Sequence, residues 1–497
     1  MFRLLDPSVR GSYNIWNTTT LFRASWSHDE SGSVALERTS RTGGERVSNC
    51  LFGPVNRTVV LAGLCLTGLL TGCSTAPSYP VELRYPARSD VLIRQGPSLE
   101  VRHLPPPGKL GETIAAAASL EGARAYDPAK LSDADREELS ATLVEVFGTP
   151  ALPTVKPADA KSEAFKLFDD YFKEMKEQLD ISDEAVTALR LEPETLQRGS
   201  ELYRKHCLHC HGLAGDGRGP TAPWVSPHPR DYRKGEFKYI STHIELIEQN
   251  NKKPRRADLL LVLEKGLEGT SMPAFNLLPQ EERDALASYV IHLSLRGQVE
   301  FDTIEMALVN RDELTDGSVR KHALSTAARL LLQYAQASAR EPTPPPPYPY
   351  KDADKGELAA SIERGHQLFL GKGGCISCHS DYGRQAALRY DNWGTLVKPR
   401  DLTQPIYRGG RRPLDLYWRL AGGIVPSNMP ALGKIAESED EQKAGKMTAS
   451  EYWDLLNFLQ ALPYPAMMPT ELRDKIYRVD EPRAAPGKSV ALSGSQE

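Results

Sequence analysis

A chain of 497 residues is long enough for about three domains. Charged residues make up 25% and nearly cancel, leaving a net charge of −4 with no basic stripe, which excludes nucleic acid as a partner. Of seven cysteines, Cys50, Cys65 and Cys73 lie near the start, and Cys207, Cys210, Cys375 and Cys378 lie in two short motifs. A body free of stray thiols suits a protein exported to an oxidising space.

The first readable segment is Val59 to Leu70, an apolar run of twelve. It is too short to span a bilayer but has the length of a signal-peptide core. It leads into Leu70-Thr71-Gly72-Cys73, which resembles the lipobox of bacterial lipoproteins. That resemblance implies cleavage before Cys73 and acylation of its thiol, placing the mature chain on a membrane on the periplasmic side. A signal ending at residue 73 greatly exceeds the usual length of about 15–30 residues. Residues 1–54 are polar and aperiodic, so translation is expected to begin near Val55. Asn56-Arg57 then form the charged start of a signal over 55–73, with 1–54 a mis-assigned or disordered leader. A genuine long leader is the alternative.

Residues 74–190 read as a Pro-rich tether followed by a helical extension. Ser132 and Asp135 predict a capped helix with Leu139, Leu143 and Phe147 on one face and Gly148 as its stop. Ala164 to Leu179 carries Phe165, Phe168, Tyr171 and Phe172 at helical spacing. Such an aromatic stripe signals core packing rather than a cofactor box.

Two copies of one pattern follow, over 191–298 and 351–465. Each carries the pentad C-x-x-C-H: Cys207-Leu208-His209-Cys210-His211 and Cys375-Ile376-Ser377-Cys378-His379. The pentad is the attachment motif of c-type haem: two thiols add across the vinyl groups and the histidine reaches the iron. Gly-x5-Met-Pro-Ala recurs downstream at Gly266 to Ala274 and at Gly423 to Ala431. The expected axial pairs are therefore His211/Met272 and His379/Met429, with Met447, Met467 and Met468 as spare sulfur donors. A zinc site built from both Cys pairs, or a thioredoxin-like motif, is the competing reading; the latter needs a βαβ context that is lacking.

The repetition extends further. Pro229-Arg230-Asp231 matches Pro399-Arg400-Asp401. Arg255-Arg256 with Asp258 matches Arg411-Arg412 with Asp415, each aspartate placed to cap a short helix that stops at Gly266 or Gly423. Arginine pairs of this kind belong by default to a solvated face, with haem carboxylates or a docking partner as the alternative. His206, His209, His292 and His366 are expected to be exposed or packing. Closing helices are predicted over Glu281 to Leu295 and Ser450 to Leu462.

This order resembles class I cytochrome c: first helix, pentad, loop, Met loop, last helix. The resemblance covers about 191–298 and 355–465. It implies a mainly α fold: two tandem cytochrome c-like helical domains plus a helical N-terminal extension and inter-domain helices. It pairs Gly199/Tyr203 with Tyr289, and Gly365/Phe369 with Phe458, where first and last helices cross. It also implies that a proline carbonyl holds the proximal imidazole, and Pro223, twelve residues past His211, occupies that place. The second copy has Asp391 at the same offset, so the resemblance supplies no such anchor for His379. Between the copies, 299–350 reads as a helical and Pro-rich linker, with Pro342 to Pro349 a stiff spacer between separately folded domains. Residues 466–497 read as a disordered tail.

Two haem c groups held by histidine and methionine point to an electron carrier exchanging single electrons with a donor and an acceptor protein, respiratory or dehydrogenase in kind. The rivals are a dihaem cytochrome c peroxidase, whose catalytic haem must free one axial position, and a haem subunit of a larger oxidoreductase. For the latter, 74–190 and 299–340 are the candidate docking parts.

Overall fold

The computed structural model describes residues 79–94, 100–101, 116–119, 123–310, 312 and 314–477. The leader, the signal segment and Cys73 lie outside the described residues, as does the tail beyond 477. The described residues all belong to one compact unit, and helix dominates it.

Helix α1, Asp133–Phe147, starts where Ser132 Oγ accepts the Asp135 amide at 3.1 Å and ends at Gly148, whose φ of +65° only glycine adopts readily. Helix α2, Glu163–Gln178, is capped by Ser162 and buries Ala164 and Phe168, while Tyr171 and Phe172 pack half-buried against the same core. Helix α3, Pro193–His206, opens the first repeat with proline in its first turn. Helix α4, Arg256–Lys265, leads into the first Met loop. Helix α5 runs from Gln280 to Val309 as one 30-residue rod. It passes the expected boundary at 298 without a break, because Val299, Phe301, Ile304 and Ala307 continue the buried face. Helix α6, Ser318–Ala339, packs on α1, α2 and α5. Extension, first repeat and inter-domain helices thus share one hydrophobic core.

The second repeat has its own core, built from α7 (Lys355–Leu370), α8 (Pro413–Gly422) and α9 (Ala449–Ala461). The closing pair repeats in both copies: α3 crosses α5 and α7 crosses α9. At Gly199 an added Cβ would lie 2.2 Å from the Ala285 carbonyl oxygen, and at Gly365 it would lie 2.0 Å from that of Asp454. The expected aromatic partners follow, with ring centres 5.2 Å apart for Tyr203–Tyr289 and 5.6 Å for Phe369–Phe458.

Three expectations are corrected. The described part of the tether is packed: Tyr79, Tyr85 and Arg88 are buried, and the Tyr85 and Tyr289 hydroxyls lie 2.9 Å apart. The Pro-rich segment is a strap rather than a spacer. Thr343 Oγ1 accepts the Ile244 amide at 2.9 Å, its carbonyl accepts the Trp418 indole at 3.0 Å, and the Pro346 carbonyl accepts the Trp453 indole at 2.9 Å. The described part of the tail, up to 477, is ordered. Helix α10, Thr470–Tyr477, buries Leu472 and Ile476 against the second core.

Among the described residues strand forms two small patches. β1 (Leu92–Ile93) pairs antiparallel with β3 (Ala125–Tyr126). β2 (Glu100–Val101) adds to the hairpin of β4 (Leu388–Tyr390) and β5 (Leu396–Val397), so the extension reaches both repeats. Among the described residues no helix is long and apolar enough to cross a membrane.

Candidate haem-binding sites

In the first repeat α3 ends at Cys207, and a single helical turn, Leu208–His211, presents the pentad. Gly212 then reverses the chain at φ +72°, and its carbonyl accepts the Tyr203 hydroxyl at 2.9 Å. Cys207 and His211 are buried while Cys210 is partly exposed. The Tyr232 ring stacks on the His211 imidazole with centres 4.7 Å apart.

His211 Nδ1 lies 3.1 Å from the Arg230 carbonyl oxygen, and His379 Nδ1 lies 3.0 Å from that of Arg400. This corrects the placement of the anchor at Pro223 and supplies the one missing for His379. The anchoring residues are equivalent members of the repeated Pro-Arg-Asp, a match visible in the sequence without a role attached to it. Burial lowers the His211 imidazole to about 4, against a smaller opposing effect of the Arg230 carbonyl, and burial also lowers His379, with the Arg400 carbonyl opposing. Both rings are therefore neutral at pH 7. With Nδ1–H donating to a carbonyl, Nε2 is the nitrogen left to bind a metal.

The two Met loops share their closing bonds. Gly266 and Gly423, at φ +67° and +70°, end α4 and α8. A Cβ at either would lie 2.7 Å from the carbonyl oxygen of Met272 or Met429. That carbonyl accepts the amide of Leu267 at 3.1 Å in one loop and of Ile424 at 3.0 Å in the other. The loops then close through Phe275 to Leu263 at 2.7 Å and Leu432 to Leu420 at 2.8 Å.

In the second repeat Cys375, Cys378, His379 and Met429 line a single cavity, walled by apolar groups such as Phe369, Leu420 and Leu459. The structure thus brings the predicted donors of the second repeat together around one largely apolar cavity. In the first repeat Cys207 and Met272 belong to one hydrophobic cluster. The cavity wall also contains Lys238 and Tyr239 of the first repeat, which local pattern in the sequence did not reveal.

The remaining candidates sit elsewhere. Met447 is buried beside Gly373. His292 is fully buried and bonds through Nε2 to the Phe147 carbonyl at 2.9 Å, while His366 Nε2 lies 2.9 Å from the Tyr382 hydroxyl. His209 is exposed. Arg256 corrects the expectation of a solvated face: its buried guanidinium donates to the Leu189 carbonyl, Ser288 and Asp284. Asp258 and Asp415 cap their helices from inside, at the third helical position, accepting the Arg255 amide at 2.9 Å and the Arg412 amide at 3.2 Å. Among the described residues no three His, Cys, Asp or Glu converge as an ion site.

Residues 194–290 match the family model described as cytochrome c oxidase, cbb3-type, subunit III, and residues 362–463 match that of cytochrome c. Two cytochrome c-type modules therefore stand in tandem. No curated protein matches the sequence. A chain of the Kuenenia stuttgartiensis reducing HAO-like protein complex aligns with 21% identity and a TM-score of 0.36. The alignment covers 54% of this chain and 96% of that one, and a similarity this low carries no inference.

Proposed function

We propose that the chain is a carrier with two covalently attached c haems, ligated by His211/Met272 and His379/Met429, that passes single electrons between a donor and an acceptor protein. The observation that carries this reading is the duplication of the whole ligand frame. Each imidazole is fixed by the equivalent arginine carbonyl, and each methionine by the same glycine-closed loop. Haem c, when bound, would supply a one-electron couple, and a methionine thioether among its ligands would raise the potential. Cys207/Cys210 and Cys375/Cys378 would hold the groups covalently. The fixed imidazoles and closed Met loops keep the donors in place, so that little rearrangement accompanies a change of charge.

Two intact Met loops also disfavour the peroxidase reading, which needs one open axial position. Residues 79–94 and α1, α2 and α6 bury their apolar faces within the chain, which supports a structural role for them over that of free docking arms. Export and a lipid anchor at Cys73 complete the proposal. The intact mass of membrane-bound protein tests that part: a lipidated Cys73 supports it and an intact Met1 overturns it.

Met272→His and Met429→His test the ligation. Each is expected to lower the potential of one haem and to remove about half of the ferric Met-to-iron charge-transfer band. A band unchanged by either substitution would overturn the assignment, and steady peroxide turnover by the reduced protein would favour the enzyme.

A further inference from the structure

We infer that the first module completes the haem pocket of the second, with Lys238 supplying a cation for the haem carboxylates and Tyr239 forming the adjoining wall. This rests on the two-haem reading above. Lys238 and Tyr239 share one cavity lining with Cys375, Cys378, His379 and Met429.

Their placement is built on both sides. The Tyr239 ring lies so close to the backbone of the second module that a Cβ on Gly409, at φ +79°, would meet it at 2.4 Å. The Arg419 guanidinium stands 5.9 Å from the Tyr239 ring centre. Lys238 Nζ lies 3.5 Å from Asp391 Oδ2. Its segment is fastened to the same turn through Trp393, whose indole donates to the Asp231 carbonyl at 3.1 Å beneath the Arg230 guanidinium, 3.7 Å from the ring centre.

Charge says what the wall is for. Lys238, Arg389, Lys398, Arg400, Arg408 and Arg419 line the cavity, and no aspartate or glutamate does. Arg419 is engaged by the Arg408 and Gly409 carbonyls, each at 3.1 Å, and Arg400 Nε by that of Ile406 at 2.8 Å. Arg408 Nε is buried without a partner. Asp391 offsets Lys238 in part and Lys398 is exposed, but Arg400, Arg408 and Arg419 are half-buried, and gathering cations in an apolar cavity is costly unless a further anion joins them. A haem brings two carboxylates, on the edge away from the vinyl groups that the thioether bonds would hold at Cys375 and Cys378.

Ferrous haem carries one positive charge fewer than ferric haem, so a neighbouring cation favours reduction. Wild-type protein must first show two covalent haems and the Met-to-iron band; failure there falls on the haem reading instead. The test is Lys238→Gln in the full chain, in a Met272→His background that separates the two titrations. The second haem is expected to lose about tenfold in its reduced-to-oxidised ratio at fixed potential, equivalent to about 59 mV for one electron. The first haem stays in place, and Lys238→Arg keeps the original value. An unmoved second haem, or an equal fall in both, would overturn the inference. Where Lys238→Gln fails to accumulate with two haems, Arg408→Gln is read in the same way.

Discussion

His379 Nδ1 lies 3.0 Å from the carbonyl oxygen of Arg400, 21 residues further along the chain, and His211 makes the same bond to Arg230 across 19 residues. The proximal anchor is thus a backbone group at the end of a loop of variable length. Pro223 lies in a separate turn, Ala222–Trp224. Pro223→Ala is therefore expected to leave the spectrum and potential of the first haem unchanged. A shift in either, with haem content intact, would return the anchor to position 223.

The helix crossing of the second module sets a steric test. A Cβ at Gly365 would meet the Asp454 backbone at 2.0 Å and the Phe458 Cβ at 2.7 Å. Asp454 is itself fixed by Ser361 at 2.6 Å and Arg364 at 2.8 Å, so the neighbour cannot easily yield. Gly365→Leu is expected to cost about 3 kcal/mol through overpacking. Chemical denaturation followed at the second haem measures this, and an unchanged midpoint would refute the close crossing.

The extension is clamped to the first module by charge. Arg233 donates to Asp90 at 3.0 Å and to Asp231 at 2.8 Å, and Arg88 lies buried beside both carboxylates. Burial alone would raise the Asp90 carboxyl, but Arg233, Arg88 and Arg218 hold it well below the usual range. Arg233→Met leaves these carboxylates undercompensated and is expected to destabilise the fold by about 3–5 kcal/mol. Protease cleavage within 79–94 should accelerate in parallel. An unaltered cleavage rate would show that the clamp does not hold the extension.

His292 makes stability depend on pH. Burial lowers its imidazole to about 4, with the Phe147 carbonyl opposing and Arg296 adding to the shift. In the unfolded chain the value is about 6.5, so between these two the unfolded state binds more protons. The contribution is complete above pH 6.5 and declines as the pH falls toward 4, by about 3 kcal/mol in all. His292→Gln should flatten this part of the stability profile relative to wild type. Parallel profiles for the two proteins would remove His292 as the cause.

Much of the site was legible because its signals are local. The pentads, the Gly-x5-Met loops and the Gly/aromatic crossings each lie within a few residues or one helical period. What escaped depends on distant partners. Pro342 to Pro349 reads as a free spacer because polyproline has no internal bonds, whereas its docking is decided by Trp418 and Trp453, 75 and 107 residues away from the carbonyls they meet. The closing helix reads as ending at Leu295, yet it runs on through Gly297. In the structure Gly297 is the point where α5 admits the Arg233 backbone, since a Cβ there would lie 2.4 Å from Arg233 Cα. Helix α10 has eight residues and two buried aliphatic side chains, too few to show a period. The Lys238–Tyr239 wall belongs to the other repeat, beyond the reach of any local pattern.

The most direct test is a spectrophotometric redox titration of the full chain matured with its haems. The two-haem carrier predicts two one-electron waves, with a ferric Met-to-iron band that disappears as each centre is reduced. A single wave, or ferric protein without that band, would contradict it.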